Sequence, residues 1–301
     1  MLTLRELRRD ADRGVAEAQL KLGFCYEQGI GGVSQDYEEA ARLYGLAVAQ
    51  GNAHAQLNLG HLYAEGKGVA QDSAEAARLW RLAAGQGRAD AQRNLGLLHA
   101  KGEGVPQDYA EAARLYRLAV AQGHARAQFN LGHLYAEGKG VAQDYAEAAR
   151  LYGLAVAQGN AHAQCNLGCL YAEGKGVAQD YAEAARLYRL AAAQGHAGAQ
   201  VNLGALYSEG KGVPQDSVEA ARLFRLAAAQ GQDKAQEALS KLSSERAYVS
   251  ACCMGCGATR KLKTCAKCKV ARFCGAECVR RAWAEHKPHC RRWEAQAAEE
   301  P

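Results

Sequence analysis

The segment AHAQLNLGHLYAEGKGVAQDSAEAARLWRLAAGQG (residues 53–87) decides the fold, because close copies of it recur along most of the chain. Its first half places Leu59, Leu62 and Tyr63 at i, i+3 and i+4, which is the spacing of one buried stripe on an α-helix. A glycine-rich connector follows, and the second half is another Ala-rich helical pattern. The segment therefore predicts two helices joined by a turn.

The copies are spaced regularly along the chain. A Leu-Gly dipeptide recurs with a period of 36 residues, apart from one step of 37, at Leu22, Leu59, Leu95, Leu131, Leu167 and Leu203. Stacked helical hairpins of this kind bury a continuous core between neighbours. The sequence therefore predicts an all-α fold, an α-solenoid of about six 36-residue helical hairpins over residues 1–241.

The second helix of each copy carries signals for both of its ends. An Asp with a Glu three residues later predicts a capping box at the start, and the pattern recurs at Asp36/Glu39, Asp72/Glu75, Asp108/Glu111, Asp144/Glu147, Asp180/Glu183 and Asp216/Glu219. A glycine follows each helix and predicts a left-handed C-terminal cap, at Gly51, Gly87, Gly123, Gly159, Gly195 and Gly231.

Composition narrows the class of protein. The chain has 301 residues, 49% hydrophobic and 23% charged, with no apolar run long enough to span a bilayer. The N-terminus MLTLRELRRDADRGV has no apolar signal-peptide core, and its acidic residues argue against a mitochondrial presequence. We therefore expect an intracellular protein, cytoplasmic and/or nuclear, with no membrane partner.

The composition changes sharply near residue 245. Eight of the 11 cysteines fall between 252 and 290, and the segment 251–293 has 11 Lys and Arg against 2 acids. We expect a solenoid over 1–241, a linker over 242–250, a cysteine-rich domain over 251–293 and a tail over 294–301. Without a secretion signal, cysteines in pairs at ligand spacing indicate metal binding rather than disulfides.

The cysteine-rich domain holds eight candidate metal ligands, in the order Cys-x2-Cys, Cys-x2-Cys, Cys-x3-Cys and His-x3-Cys. They are Cys253, Cys256, Cys265, Cys268, Cys274, Cys278, His286 and Cys290. Eight thiolate and imidazole donors are the number that two four-coordinate structural Zn2+ ions require. We expect two zinc ions per chain, with His289 and Cys252 as weaker candidates.

Two resemblances fit these patterns. The repeated Ala, Leu-Gly, Tyr, Gly-x-Gly-Val, Asp, Ala and Gly positions over residues 16–241 resemble the Sel-one-like repeat family, a relative of the tetratricopeptide repeat. Cys25 and His99 are small departures from its pattern. This resemblance implies a right-handed superhelix of helical hairpins that serves as an adaptor or scaffold.

The second resemblance covers residues 253–290, whose ligand order, Phe273, Trp283 and His286-Lys287 resemble the MYND-type zinc finger. A RING finger would end in a Cys-x2-Cys pair, whereas this segment ends in His-x3-Cys. The resemblance implies an interleaved, cross-braced arrangement, with one zinc on Cys253, Cys256, Cys274 and Cys278 and the other on Cys265, Cys268, His286 and Cys290. It also implies binding of short Pro-containing peptides beside the last helix, near Trp283. Val279 stands where many family members have Gln.

The first helices carry a stripe that varies between otherwise similar repeats. It includes Arg93, Phe129 and His133, and positions four apart such as Phe129 and His133 share a helix face. In related solenoids the first helices line the ligand-binding surface. These three residues are candidate docking positions; the alternative is that they are half-exposed core positions that have drifted.

Three classes of function follow. The first is a protein-protein interaction adaptor, with the solenoid docking one partner and the finger docking a short peptide. The alternative is a nucleic-acid-associated regulator that binds phosphates through the basic residues of the finger, such as Arg260, Lys261 and Arg281. We do not expect an enzyme, because the repeats use the rest of the chain and eight ligands leave two zinc ions no open position. The sequence leaves the oligomeric state open.

Overall fold

The computed structural model describes the backbone of residues 3–251, 263–264 and 272–273, and the side chains of residues 3–242. The helices are α1 Leu4–Asp12, α2 Ala16–Gln28, α3 Tyr37–Ala49, α4 Ala53–Glu65, α5 Ser73–Gly85, α6 Ala89–Lys101, α7 Tyr109–Ala121, α8 Ala125–Glu137, α9 Tyr145–Ala157, α10 Ala161–Glu173, α11 Tyr181–Ala193, α12 Ala197–Glu209, α13 Ser217–Ala228 and α14 Asp233–Ala251. Two short strands are β1 Lys263–Thr264 and β2 Arg272–Phe273.

The chain divides into two compact units, residues 1–194 and 195–301. In the first unit, each helix from α1 to α10 packs against the next helix along the chain. In the second unit, α12 packs against α13 and α13 against α14. This pairing of sequence neighbours is the packing of an α-solenoid, and it confirms the predicted helical hairpins.

The core runs from one repeat into the next. Tyr116 and Tyr152 lie on the second helices α7 and α9. They are among the largest fully buried side chains of the described residues. Leu115 of α7 packs into the cluster that α4, α5 and α6 form, and Leu151 of α9 packs into the cluster of α7 and α8. Each hairpin is therefore stabilised by its neighbour.

The predicted capping boxes form only in their Asp half. In α7 the backbone N–H of Glu111 donates to Asp108 Oδ1 at 3.0 Å, as expected for an N-cap. The carboxylate of Glu111, however, accepts two hydrogen bonds from Arg114, both at 2.7 Å. The backbone N–H of Asp108 donates to the carbonyl of His99 at 2.9 Å. The helix start is thus tied to the preceding helix instead of to its own Glu.

The glycine caps form as predicted. Gly51, which follows α3, has φ +80°, and its N–H donates to the carbonyl of Val48. The N–H of Asn52 donates to the carbonyl of Ala47, which completes a Schellman motif. A residue with a Cβ would be strained at this left-handed position.

The region after the repeats differs from the expectation at one point. Residues 242–250, predicted to be a linker, lie within helix α14. Further along, β1 and β2 pair antiparallel, with Lys263 opposite Phe273 and Thr264 opposite Arg272. Within the described part of the chain, no helix is long and apolar enough to cross a membrane.

Candidate functional site

The variable stripe of the first helices lies at the edge of the core. Among equivalent positions, Leu57 and Cys165 are buried, with 8% and 5% of their surface exposed, whereas Arg93 and Phe129 are half-buried. The His133 side chain is 48% exposed. The three predicted surface residues are therefore all open to solvent in part, although the stripe as a whole also includes core positions.

A groove of about 520 Å³ lies over this stripe in the first unit. It is bounded by α4, α6 and the start of α8, and its polar lining residues are His61, Asp90, Arg93, Asn94, His124, Arg126 and Gln158. Leu57 and Ala125 complete the wall. Of the predicted surface residues, Arg93 lines the groove, and Phe129 and His133 are not among its lining residues.

Arg93 is held in the groove by a short chain of hydrogen bonds. Its Nη1 donates to Asn94 Oδ1 at 3.0 Å, and Asn94 Nδ2 donates to His61 Nε2 at 3.3 Å. The Nε of Arg93 is buried and has no hydrogen-bond partner among the described residues. Burial lowers the pKa of Arg93, and Arg126 adds to this shift, while Tyr116 and, more weakly, Asp90 act in the opposite direction. The guanidinium is thus partly desolvated and poorly compensated.

The one carboxylate in the lining, Asp90, is engaged by other groups. His124 Nδ1 accepts the backbone N–H of Ala127 at 3.2 Å, so the proton of a neutral ring is on Nε2. That Nε2 lies 3.1 Å from Asp90 Oδ1 and donates to it. The other oxygen of Asp90 is 4.0 Å from Nη2 of Arg88. Two guanidinium groups, on Arg93 and Arg126, therefore face one carboxylate that already has partners.

Phe129 and His133 form a separate aromatic cluster. The centroid of the Phe129 ring lies 5.6 Å from that of His162, 5.9 Å from Tyr152 and 6.3 Å from His133, to which it is nearly parallel. His133 Nε2 is also 3.4 Å from Glu137 Oε1. Since Tyr152 is a core residue, Phe129 bridges the core and the surface, and His133 covers it from the solvent side.

Sequence reasoning missed Asp90, Asn94 and His124. Most other repeats also have an Asn at the position equivalent to Asn94, so the sequence gives no functional signal there. His124 stands where two other repeats have the N-cap Asn52 and Asn160, and its cap role accounts for it locally. An unusual charge at Arg93 was the one available signal.

The candidate metal ligands from Cys253 to Cys290, together with Trp283 and Val279, lie outside the described residues. The paired strands that flank some of them are described, and the antiparallel pairing makes the chain leave Thr264 and Phe273 at opposite ends of the ladder. Cys265 and Cys274 are the next residues in sequence. A donor set of seven thiolates and one imidazole fits Zn2+, which prefers sulfur and nitrogen ligands.

Cys165 and Cys169 are two thiols of the first unit that lie among packed side chains. The Tyr188 hydroxyl donates to Cys169 Sγ at 3.3 Å, and a hydrogen bond with Cys169, followed by burial, raises the pKa of Cys165. A raised pKa makes a thiol a poor nucleophile and a poor metal ligand. Across residues 3–242, no three His, Cys, Asp or Glu side chains are grouped as a metal site requires.

Comparison with known proteins assigns both parts of the chain. The Sel1 repeat family matches residues 16–52, 53–87, 89–124, 125–160, 161–196 and 197–232. The MYND finger family matches residues 253–290, and this match implies zinc binding.

Two solved structures share the solenoid. One is c5321 of uropathogenic Escherichia coli, a protective antigen with an SLR fold, at 37% identity and a TM-score of 0.75 over 81% of this chain. This chain covers 52% of c5321, about half its length. The other is a Sel1 repeat protein from Oxalobacter formigenes, at 31% identity and a TM-score of 0.66 over 71% of this chain and 86% of that one. With its six repeats and its MYND finger, the chain belongs to the Sel1 repeat family.

Proposed function

We propose that this protein is a zinc-binding adaptor, in which the first helices of the solenoid dock one protein partner and the finger docks a short, Pro-containing peptide of another. The observation that carries the proposal is the position of Arg93, Phe129 and His133. The repeats keep the same core pattern, yet these three positions hold a cation, an aromatic ring and an imidazole at the solvent edge. Side chains of this kind are enriched where proteins bind each other.

For the finger, we propose two zinc ions in a cross-braced arrangement. One ion takes Cys253, Cys256, Cys274 and Cys278, and the other takes Cys265, Cys268, His286 and Cys290. The MYND finger match over residues 253–290 supports zinc binding by this donor set. Bound zinc would supply the folding free energy that so short a segment cannot obtain from apolar burial.

The same donor count supports a role without catalysis. Eight protein ligands on two four-coordinate ions leave no position for water or substrate, as a catalytic zinc requires. Free thiolates persist in a reducing compartment, which supports a cytoplasmic or nuclear location. Nucleic-acid binding through the basic finger stays a prediction from charge, and we propose Trp283, with Val279 nearby in sequence, for the peptide contact.

The docking proposal is tested with the full chain and a library of random peptides displayed on phage. His133→Glu replaces an exposed imidazole with a carboxylate. The melting temperature should stay nearly unchanged, while binding of the selected peptides should weaken. Phe129→Ala should weaken binding and also destabilise the fold by about 1 kcal/mol, because its ring contacts Tyr152. If both variants bind every selected peptide as the wild type does, the solenoid is not the docking surface and the finger alone recognises partners.

A further inference from the structure

Among the residues whose side chains are described, no carboxylate forms an ion pair with the Arg93 guanidinium in the groove. The residues at the equivalent position of the other repeats are apolar: Leu20, Leu57, Phe129, Cys165 and Val201. The helical hairpin therefore packs well with an apolar side chain there. A partly desolvated, poorly compensated cation destabilises a fold unless an anion pairs with it.

We propose that this groove binds the carboxylate of an Asp or Glu side chain in an extended acidic segment of a protein partner. The inference rests on the proposed docking function of the solenoid and adds the chemistry of its ligand. Arg93 would donate to the carboxylate through its second terminal nitrogen, because Nη1 is engaged by Asn94 and Nε is buried. A hydrogen bond from a guanidinium to a carboxylate is charge-assisted and about twice as strong as one between neutral groups.

The neighbouring residues fit this ligand. Arg93 donates a hydrogen bond to Asn94, which in turn donates one to His61. Because these contacts already hold the Arg93 side chain, it loses little rotamer freedom on binding. Arg126 adds a second positive charge to the lining, and Asp90 already accepts a hydrogen bond from His124. The groove is thus electropositive where a ligand enters.

The form of the groove favours a side chain within a segment over a free C-terminal carboxylate. Its volume of about 520 Å³ is far larger than one carboxylate needs. Leu57 offers an apolar contact on one side, and Arg126 offers donors on another. These groups can contact the residues that flank an acidic side chain.

The experiment selects random octapeptides, displayed within a phage coat protein, on the full-length chain and on three variants. The wild type should enrich Asp or Glu at one position. Arg93→Met, which keeps the length of the side chain without its charge, should lose that enrichment and bind the synthesised winners about tenfold more weakly or worse. Arg93→Lys should be intermediate, because a lysine keeps the charge and loses the planar guanidinium that Asn94 holds in place.

Arg81→Met is the matched control, since Arg81 is an exposed arginine on the second helix α5 and does not line the groove. It should select the same peptides as the wild type. The winners are also synthesised with an amidated C-terminus and with Gln in place of the acidic residue. Amidation should leave binding unchanged, and Gln should abolish it.

Four results would overturn the inference: no peptide selected, winners without acidic enrichment, equal binding by Arg93→Met, or binding that needs a free C-terminal carboxylate. Winners that depend on Phe129 and His133 but not on Arg93 would keep the docking function and reject the acidic ligand. Circular dichroism of each variant shows whether the fold is retained, and Arg93→Lys serves if Arg93→Met unfolds.

Discussion

The Tyr152 ring lies against the backbone of Gly132, so closely that a Cβ built on Gly132 would be 2.9 Å from both Cδ1 and Cε1 of the ring. Tyr152 is 1% exposed and belongs to the second helix of the same hairpin. The glycine of the Leu-Gly dipeptide is thus required by the aromatic ring that packs on it. The same relationship holds between Gly96 and Tyr116, where the closest distance is 2.7 Å.

Gly132→Ala should destabilise the protein by about 1–3 kcal/mol, because a methyl group has no room against the Tyr152 ring. Gly153→Ala is the matched control: Gly153 lies inside α9, and its Cβ would meet nothing within 4 Å. Alanine should stabilise that position by about 0.5–1 kcal/mol through its helix propensity. Urea unfolding measures both changes, and shifts of the same sign would contradict the packing argument.

The half-formed capping boxes lead to a second prediction. Asp108→Ala removes the acceptor for the N–H groups of Ala110 and Glu111 and should destabilise the protein by about 1 kcal/mol. Asp108→Asn keeps an acceptor and should have a smaller effect. Glu111→Ala breaks an exposed ion pair with Arg114, so its effect should stay below about 1 kcal/mol. Equal losses for Glu111→Ala and Asp108→Ala would mean that the full box forms in solution.

The helices and their caps could be predicted because their signals are local. The stripe of Leu59, Leu62 and Tyr63 and the glycine at 51 each act within one or two turns of helix. The partner of Glu111 was missed, since Arg114 offers it a closer and stronger contact than the N-cap backbone does. The change in composition near residue 245 predicts a linker over residues 242–250, although α14 continues through them.

The groove could be predicted only in part, because it depends on contacts between repeats. Arg93 was visible as a charge among apolar equivalents, but the contact between Asn94 and His61 joins residues 33 apart, and the one between His124 and Asp90 joins residues 34 apart. Such pairs depend on how neighbouring hairpins are set against each other. No pattern within one repeat encodes that arrangement.

The third prediction concerns metal content. The purified full chain should carry two zinc ions, measured by atomic emission spectroscopy, because eight paired donors suit two four-coordinate sites. Removal of the metal by a chelator should leave most of the helical circular dichroism signal. The described core of α1 to α13 consists of apolar contacts with no metal site among them. One zinc per chain, or collapse of the helical signal on chelation, would contradict it.

The fourth prediction concerns the division of the ligands between the two ions. Cys265→Ser and His286→Ala should weaken the same site, and Cys274→Ser should weaken the other. Cobalt substitution separates the sites, because the absorption of Co2+ depends on whether four or three thiolates bind it. Cys252→Ser is the control, since this thiol is outside the proposed set. If Cys253, Cys256, Cys265 and Cys268 prove to share one ion, the cross-braced assignment is wrong.

The fifth prediction concerns His61, whose ring contacts the Trp80 ring edge-on, with centroids 5.3 Å apart. Burial lowers the pKa of His61 below its usual value, and nearby acids, first Glu65, oppose this shift without cancelling it. The neutral ring also accepts the hydrogen bond of Asn94 through Nε2. The folded state therefore binds this proton at a lower pH than the unfolded chain does.

The sign of the pH dependence follows from that difference. Above the usual histidine pKa of about 6.5, both states are neutral and the free energy of unfolding does not depend on His61. As the pH falls below that value, the unfolded chain takes up the proton first, and stability is lost until the folded pKa is reached. The loss from one such group is at most about 1.4 kcal/mol per pH unit.

The measurement is urea unfolding at several values between about pH 7.5 and pH 5.5, the range in which histidines titrate. His61→Leu copies Leu97, the equivalent residue of the next repeat, and should lose stability less steeply than the wild type as the pH falls. Since the other histidines are present in both the wild type and His61→Leu, equal slopes for these two proteins would mean that His61 titrates normally in the folded protein. The wall of the groove behind Asn94 would then be open to water, and Arg93 would be less rigidly held than the hydrogen bonds indicate.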